Sequence, residues 1–155
     1  MEIINATVFF SILILLAVED IREKRVMVIP PLLFCAYIFV MHIISPNLEI
    51  AEMLFGVLFG GIMILVSFLT KGKIGMGDAV IYACMIGPFF GGLKALAVLF
   101  TASLASAVFS IFFILRVKRR QGALGVETDV KGTELPFVPF TLFGAAVEFF
   151  GGFFT

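Results

Sequence analysis

Lys71-Gly72-Lys73-Ile74-Gly75-Met76-Gly77-Asp78 is a charged, glycine-rich break between two long apolar runs. Asp78 opens the second run, residues 79–90, so its carboxylate lies where the chain enters an apolar phase. A carboxylate at such a depth is costly unless a partner or a reaction uses it. Asp78 could also cap the following helix, because Asp side chains accept hydrogen bonds from free helix-terminal amides. The stretch therefore leaves two interpretations open, a chemical group and a helix cap.

The composition indicates an integral membrane protein. The chain has 155 residues, of which 61% are hydrophobic and 14% charged, against about 25% charged in soluble domains. Apolar runs recur along the whole length with short polar breaks, so we expect one membrane-embedded domain over residues 1–155. The net charge is zero and no basic stripe carries interleaved aromatic residues, which argues against a nucleic-acid partner.

The apolar runs predict an all-α, polytopic bundle of about six transmembrane helices, at residues 3–18, 26–44, 50–70, 79–90, 93–115 and 136–154. The fourth run is short for a crossing, which takes about 20 residues. Pro30 and Pro31 fall near the start of the second run, where a missing amide does least harm. Gly56 and Gly60 give the third run a small-residue face that favours close helix packing.

The basic residues are distributed unevenly between the two sides of this predicted bundle. Lys94 is the only one on the side of the second and fourth breaks. The breaks after the first, third and fifth runs contain Arg22, Lys24, Arg25, Lys71, Lys73, Arg116, Lys118, Arg119, Arg120 and Lys131. Lys and Arg concentrate in cytoplasmic loops, so we expect both termini outside and Asp20 and Asp78 together at the cytoplasmic edge of the membrane.

Two aspartates at one depth can share a proton, one activating water while the other polarises a peptide carbonyl. This is the chemistry of an aspartyl protease. Gly75 and Gly77, on either side of Met76, would let an extended substrate backbone approach Asp78 closely. The alternative is a small transporter or channel component that uses Asp20 and Asp78 as an ion or proton relay, although such relays usually lie near the middle of the membrane.

Gly75-Met76-Gly77-Asp78 resembles the GxGD motif of the type IV prepilin peptidase family, which are intramembrane aspartyl proteases. Asp20, followed by a basic turn, is similar to the first catalytic aspartate of that family. The run from Pro136 to Gly144 resembles its closing segment, with Pro136, Phe137 and Pro139 as candidates for a substrate groove. The chain departs from the family at residues 26–28, where Ile-Pro-Asn is common, and at Val80, where Lys is common.

The resemblance implies an endopeptidase that removes the short basic leader of prepilin-like, pseudopilin-like or preflagellin-like proteins at the inner membrane, with Asp20 and Asp78 as catalytic residues. The chain lacks the cysteine-bearing zinc insert of bifunctional members and resembles the short, peptidase-only ones. Cys35, Cys84 and the single His42 have no metal-binding spacing, and no cofactor is implied. Glu127, Asp129 and Glu134 form an acidic group that would suit a basic leader. The oligomeric state is left open.

Helix position also predicts which aspartate holds the shared proton. Asp78 starts a helix, where free amides favour a carboxylate, while Asp20 ends one and faces carbonyl groups. On this basis we expect Asp20 to be the protonated partner.

Overall fold

The computed structural model describes residues 2–24, 26–44, 50–70, 75–124 and 136–151. These residues contain no strand and fold as a bundle of six helices, which confirms the all-α prediction. The helices are α1 (Glu2–Glu23), α2 (Ile29–Ile44), α3 (Ile50–Leu69), α4 (Met76–Phe90), α5 (Gly92–Leu124) and α6 (Val138–Gly151).

Helix length and surface composition are those of a membrane protein. Among the described residues, α1, α3 and α5 are long and apolar enough to cross a bilayer, whereas α2, α4 and α6 are shorter apolar helices. Large apolar side chains such as Phe100, Leu104 and Phe112 on α5 are exposed, as expected where lipid replaces water. The six helices match the six predicted runs in number, and the number of complete crossings stays a prediction.

Some helices begin or end at residues other than those of the predicted runs. The second helix begins at Ile29 rather than Val26, because Pro30 and Pro31 occupy its first turn, where their fixed φ angle suits a helix start. The fifth helix continues to Leu124, past the predicted end of the membrane run at residue 115, although the part that is apolar enough to span a membrane ends at Val117, close to that prediction. The added segment is rich in Arg, Lys, Gln, Ala and Leu and contains no proline, so its intrinsic helix propensity carries the helix onward.

Small residues allow α3 and α4 to pack backbone against backbone. A Cβ atom on Gly56 would lie 2.8 Å from the Cα atom of Gly87, and one on Gly60 would lie 2.7 Å from the Cβ atom of Ala83. Within lipid, helices associate mainly through such van der Waals packing and not through exclusion of water. The predicted small-residue face of α3 is therefore confirmed, and it fixes the position of α4.

A π-helical turn from Tyr82 to Ile86 interrupts α4. The amide of Gly87 donates to the carbonyl oxygen of Tyr82, five residues back. Pro88 explains the wider turn, because a proline has no amide hydrogen and its ring would clash with the carbonyl four residues earlier, that of Cys84. Single π turns of this kind are frequent at functional sites.

Aromatic packing fills the bundle away from the charged helix ends. Phe9 of α1 is completely buried and stacks on Phe89 of α4 at a centroid distance of 4.4 Å. The Tyr37 hydroxyl of α2 donates a 2.7 Å hydrogen bond to the buried side-chain oxygen of Asn5. These contacts join α1, α2 and α4, and they leave the opposite end of α1 for the site described next.

Candidate functional site

Asp20 lies in the last turn of α1 and is only 7% exposed. Its carboxylate oxygen Oδ2 accepts a hydrogen bond of 3.0 Å from the backbone amide of Val138. A buried carboxylate without a partner would cost several kcal/mol, on the order of the penalty for any unpaired buried ion. The contact with Val138 therefore anchors Asp20 to the start of α6.

The Val138 amide is free to bind Asp20 because α6 begins at this residue. The first amides of a helix have no carbonyl partner within it and carry the positive end of the helix dipole. The next turn is closed locally, since the amides of Phe140 and Thr141 both donate to the carbonyl oxygen of Phe137. Pro136, Phe137 and Pro139 flank the contact and are partly buried, which leaves their predicted role in a substrate groove a proposal.

Asp78 lies in the first turn of α4 and is partly buried. The residue at the N-cap position is Gly75, and Asp78 comes three positions later. Asp78 is therefore not the N-cap, and that interpretation is wrong. Its carboxyl group is near enough to Asp20 for the charge of Asp20 to act on it. The structure thus brings together the two aspartates that the sequence singled out, 58 positions apart.

The two glycines of the motif, Gly75 and Gly77, lie where a larger side chain would clash with its neighbours. A Cβ atom on Gly75 would lie 2.5 Å from Oδ2 of Asp78, and one on Gly77 would lie 2.7 Å from the Cβ atom of Val26. Gly75 thus leaves room for the carboxyl group, and Gly77 lets the segment before α2 reach α4. Gly75 and Met76 are exposed, so approach of a substrate backbone at this point stays a prediction.

Sequence reasoning missed two residues beside the aspartates. Tyr82 is 1% exposed and lies near both Asp78 and Thr141. Thr141 of α6 is also buried, one turn after Val138. The signal for Tyr82 was its spacing, because residues four apart share one face of a helix. No feature of the sequence could have indicated the contact between Val138 and Asp20, because almost every residue has a backbone amide.

The hydrogen bond from the Val138 amide argues against the expectation that Asp20 holds the shared proton. The end of α1 does present carbonyl groups, since the Lys24 amide bonds to the Asp20 carbonyl oxygen in the ordinary helical pattern. The side chain, however, faces the positive end of α6. An amide donor and a helix N-terminus both favour the charged form of a carboxyl group. The contact therefore removes the argument from helix position for placing the proton on Asp20, and the site of the proton stays a prediction.

Several predicted residues lie outside the part of the chain that the structure describes, namely Arg25, Lys71, Lys73, Lys131, Glu127, Asp129 and Glu134. Arg22 and Lys24 are exposed at the end of α1 that carries Asp20.

Cys35 and Cys84, distant in sequence, are in side-chain contact between α2 and α4.

Comparison with known proteins shows the family of the chain. A model of the type IV leader peptidase family matches residues 7–111, which is more than half of the chain and includes both Asp20 and Asp78. The match ends before α6. Neither a curated protein nor a solved structure matches the chain. From the extent of the family match, we conclude that the chain belongs to the type IV leader peptidase family.

Proposed function

We propose that this protein is an intramembrane aspartyl endopeptidase that removes the short basic leader of prepilin-like membrane proteins, with Asp20 and Asp78 as its catalytic pair. The observation that carries the proposal is the meeting of these two acids, from α1 and α4, beside the start of α6. Membership of a leader peptidase family supports peptide hydrolysis. The pairing of two carboxyl groups supports the aspartic mechanism.

In the proposed reaction, ionised Asp20 takes a proton from a water molecule, whose oxygen attacks the peptide carbonyl carbon. Protonated Asp78 donates to the carbonyl oxygen, and a tetrahedral intermediate forms. The C–N bond then breaks, the leaving nitrogen takes up a proton from Asp20, and Asp78 recovers its own proton. The Val138 amide holds Asp20 in place throughout. The steps balance without a metal or an organic cofactor.

The location of the pair suits a leader substrate. Both acids lie at helix ends, and the exposed basic residues Arg22 and Lys24 lie at the same end of α1. By the charge rule this end faces the cytoplasm, where the leader of a prepilin-like protein of the inner membrane would remain. Pro136, Phe137 and Pro139 adjoin Asp20 and are our candidates for the groove wall. The acids at 127, 129 and 134 are candidates for contact with the basic leader.

Cleavage of a prepilin-like substrate by the purified protein in detergent tests the proposal. The substrate carries a short basic leader that ends in glycine before an apolar helix. Asp20→Asn and Asp78→Asn should each lower the cleavage rate by roughly 10³-fold or more, as when a residue of a catalytic unit is lost. Glu23→Gln, an exposed acid three residues after Asp20, is the matched control and should cleave normally.

Full cleavage by both folded Asn variants would rule out the aspartic mechanism. Absence of cleavage by the wild-type protein, together with ion flux into liposomes that both Asn variants abolish, would favour the relay function instead. Folding of each variant is checked by its thermal unfolding in the same detergent.

A further inference from the structure

Tyr82 carries a buried hydroxyl group that forms no hydrogen bond in the described part of the chain. Its side chain is 1% exposed. Thr141 lies close enough to interact with this hydroxyl, but no hydrogen bond of good geometry joins the two, and the Thr141 hydroxyl donates to the carbonyl oxygen of Phe137 at 3.5 Å. A buried polar group without a partner is destabilising, so a tyrosine rather than a phenylalanine at this place calls for a reason.

The position of Tyr82 on α4 gives a reason for a hydroxyl group at this place. Tyr82 follows Asp78 by four residues, and side chains with this spacing lie on one face and lean toward the helix N-terminus. The phenol ring therefore reaches back toward the Asp78 carboxyl group, and the two groups are near enough to interact electrostatically. The Asp78 carboxyl group in turn leans toward Gly75, where its Oδ2 atom occupies the space that a Cβ atom would fill.

We propose that Tyr82 is a positioning residue of the peptidase: its hydroxyl donates a hydrogen bond to the Asp78 carboxyl group when substrate is engaged, and so holds that group toward Asp20. This inference rests on the proposed peptidase function. The bond would be accepted by Oδ1 of Asp78, the carboxyl oxygen that does not occupy the space beside Gly75, with no movement of the backbone. The packing of α4 on α3 through Gly60 and Ala83 keeps the helix itself fixed.

The test compares the only two tyrosines of the chain. Tyr82→Phe keeps the buried ring and removes one oxygen atom that has no partner in the free enzyme. Tyr37→Phe removes a hydroxyl that is already bonded to Asn5. Asn5 lies about 22 Å from Asp20 along α1, from the helical rise per residue. We therefore expect Tyr82→Phe to impair catalysis without loss of stability, and Tyr37→Phe to lower stability without loss of catalysis.

For Tyr82→Phe we expect kcat for the prepilin-like substrate to fall roughly 10- to 100-fold, the effect of losing one hydrogen bond to a carboxyl group. KM should stay within about twofold, and the unfolding temperature should be unchanged or higher, because a buried unpaired hydroxyl is removed. Tyr37→Phe should unfold at a lower temperature, with kcat unchanged. A purely structural role for Tyr82 predicts lower stability and an unaltered kcat.

A second measurement does not depend on cleavage. In Asp20→Asn, Asp129→Asn protein, Asp78 is the only aspartate left to carry a ¹³C-labelled carboxyl group. Adding the same substrate should shift its infrared band, and Tyr82→Phe should abolish this shift. Unchanged kcat in Tyr82→Phe, or a band shift that survives the substitution, would overturn the inference while leaving the peptidase function intact. If the wild-type protein fails to cleave, the proposed function itself fails.

Discussion

The backbone amide of Val138 donates a hydrogen bond to the side chain of Asp20 across 118 positions of sequence. This contact makes α6 part of the site, although α6 contributes no acid to it. Because the donor is the first amide of a helix, it combines a direct hydrogen bond with the field of the helix terminus. The proline-containing segment before α6 thus contributes to the site by setting the residue at which the helix begins, because that residue supplies the amide.

Replacing Val138 by proline tests this role of the amide. Proline fits the first position of a helix and lacks only the N–H group there. A hydrogen bond to a charged group contributes about 1.5–3 kcal/mol, so we expect kcat to fall roughly 10- to 100-fold. Cleavage of the prepilin-like substrate measures the effect.

The matched control is Val138→Ala, which keeps the amide and shortens a side chain that is completely buried. It should lower the unfolding temperature more than it lowers kcat. If Val138→Pro keeps the kcat of the wild type, the amide has no part in catalysis, and Asp20 must be held in another way.

Much of the fold was readable from the sequence because lipid imposes a simple rule on it. Apolar runs in a membrane must be helical to satisfy their own backbone groups, so the six runs predicted six helices. Charge asymmetry then predicted that Asp20 and Asp78 lie at one end, and they do. The start of α2 at Ile29 and the extension of α5 beyond its membrane run to Leu124 were not predicted, because short-range proline effects and helix propensity set these helix ends and hydropathy did not.

The parts of the site that could not be predicted depend on three-dimensional packing. The close approach of α3 and α4 combines the glycine spacing of α3 with a π turn in α4, and no pattern in the sequence predicts how these two helices pack. The Asp20 contact uses a backbone amide, which has no residue-type signature. The contact of Cys35 with Cys84 is equally hidden, because it depends on how α2 packs against α4.

Gly75→Ala should impair catalysis while leaving the fold intact. The added Cβ atom would meet the Asp78 carboxyl oxygen at 2.5 Å, and the side chain of Asp78 would rotate away. The backbone of Gly75, with φ −55° and ψ 121°, is open to alanine. We expect kcat to fall by at least about tenfold, since misplacement of a catalytic group by 1 Å can cost 10²-fold.

Gly61→Ala is the control for this variant, because a Cβ atom at Gly61 would have nothing within 4 Å. It should retain full kcat and be slightly more stable, by about 0.5–1 kcal/mol, from the higher helix propensity of alanine. Equal activity of Gly75→Ala and Gly61→Ala would show that the space at Gly75 does not matter for Asp78.

The charge distribution predicts both termini outside and the segments 19–25, 71–78 and 116–135 inside. Single-cysteine labelling in a Cys35→Ser, Cys84→Ser background checks this topology. A cysteine introduced at Asn47 should react with an impermeant reagent added from outside, while one at Gln121 should react only after the membrane is opened. The opposite pattern would put the aspartates on the wrong side for cleavage of a cytoplasmic leader.

The resting enzyme should hold its shared proton on Asp78 and keep Asp20 ionised. Asp20 accepts a hydrogen bond from the N-terminal amide of α6, which stabilises negative charge. Once Asp20 is charged, Asp78 is easier to protonate, because burial and the nearby charge of Asp20 both disfavour a second carboxylate. The chain has three aspartates, so an Asp129→Asn background leaves only the two of interest for ¹³C-carboxyl infrared or NMR measurement.

In that background we expect one protonated and one ionised carboxyl signal near neutral pH. Replacing either aspartate would remove the charge that the other one feels, so the signals are better assigned with both present. Val138→Pro should move the signal of Asp20, because it removes a hydrogen bond to that group alone, and Gly75→Ala should move that of Asp78. If Val138→Pro instead moves the protonated signal, the proton is on Asp20 and the amide of α6 does not decide which carboxyl group acts as the base.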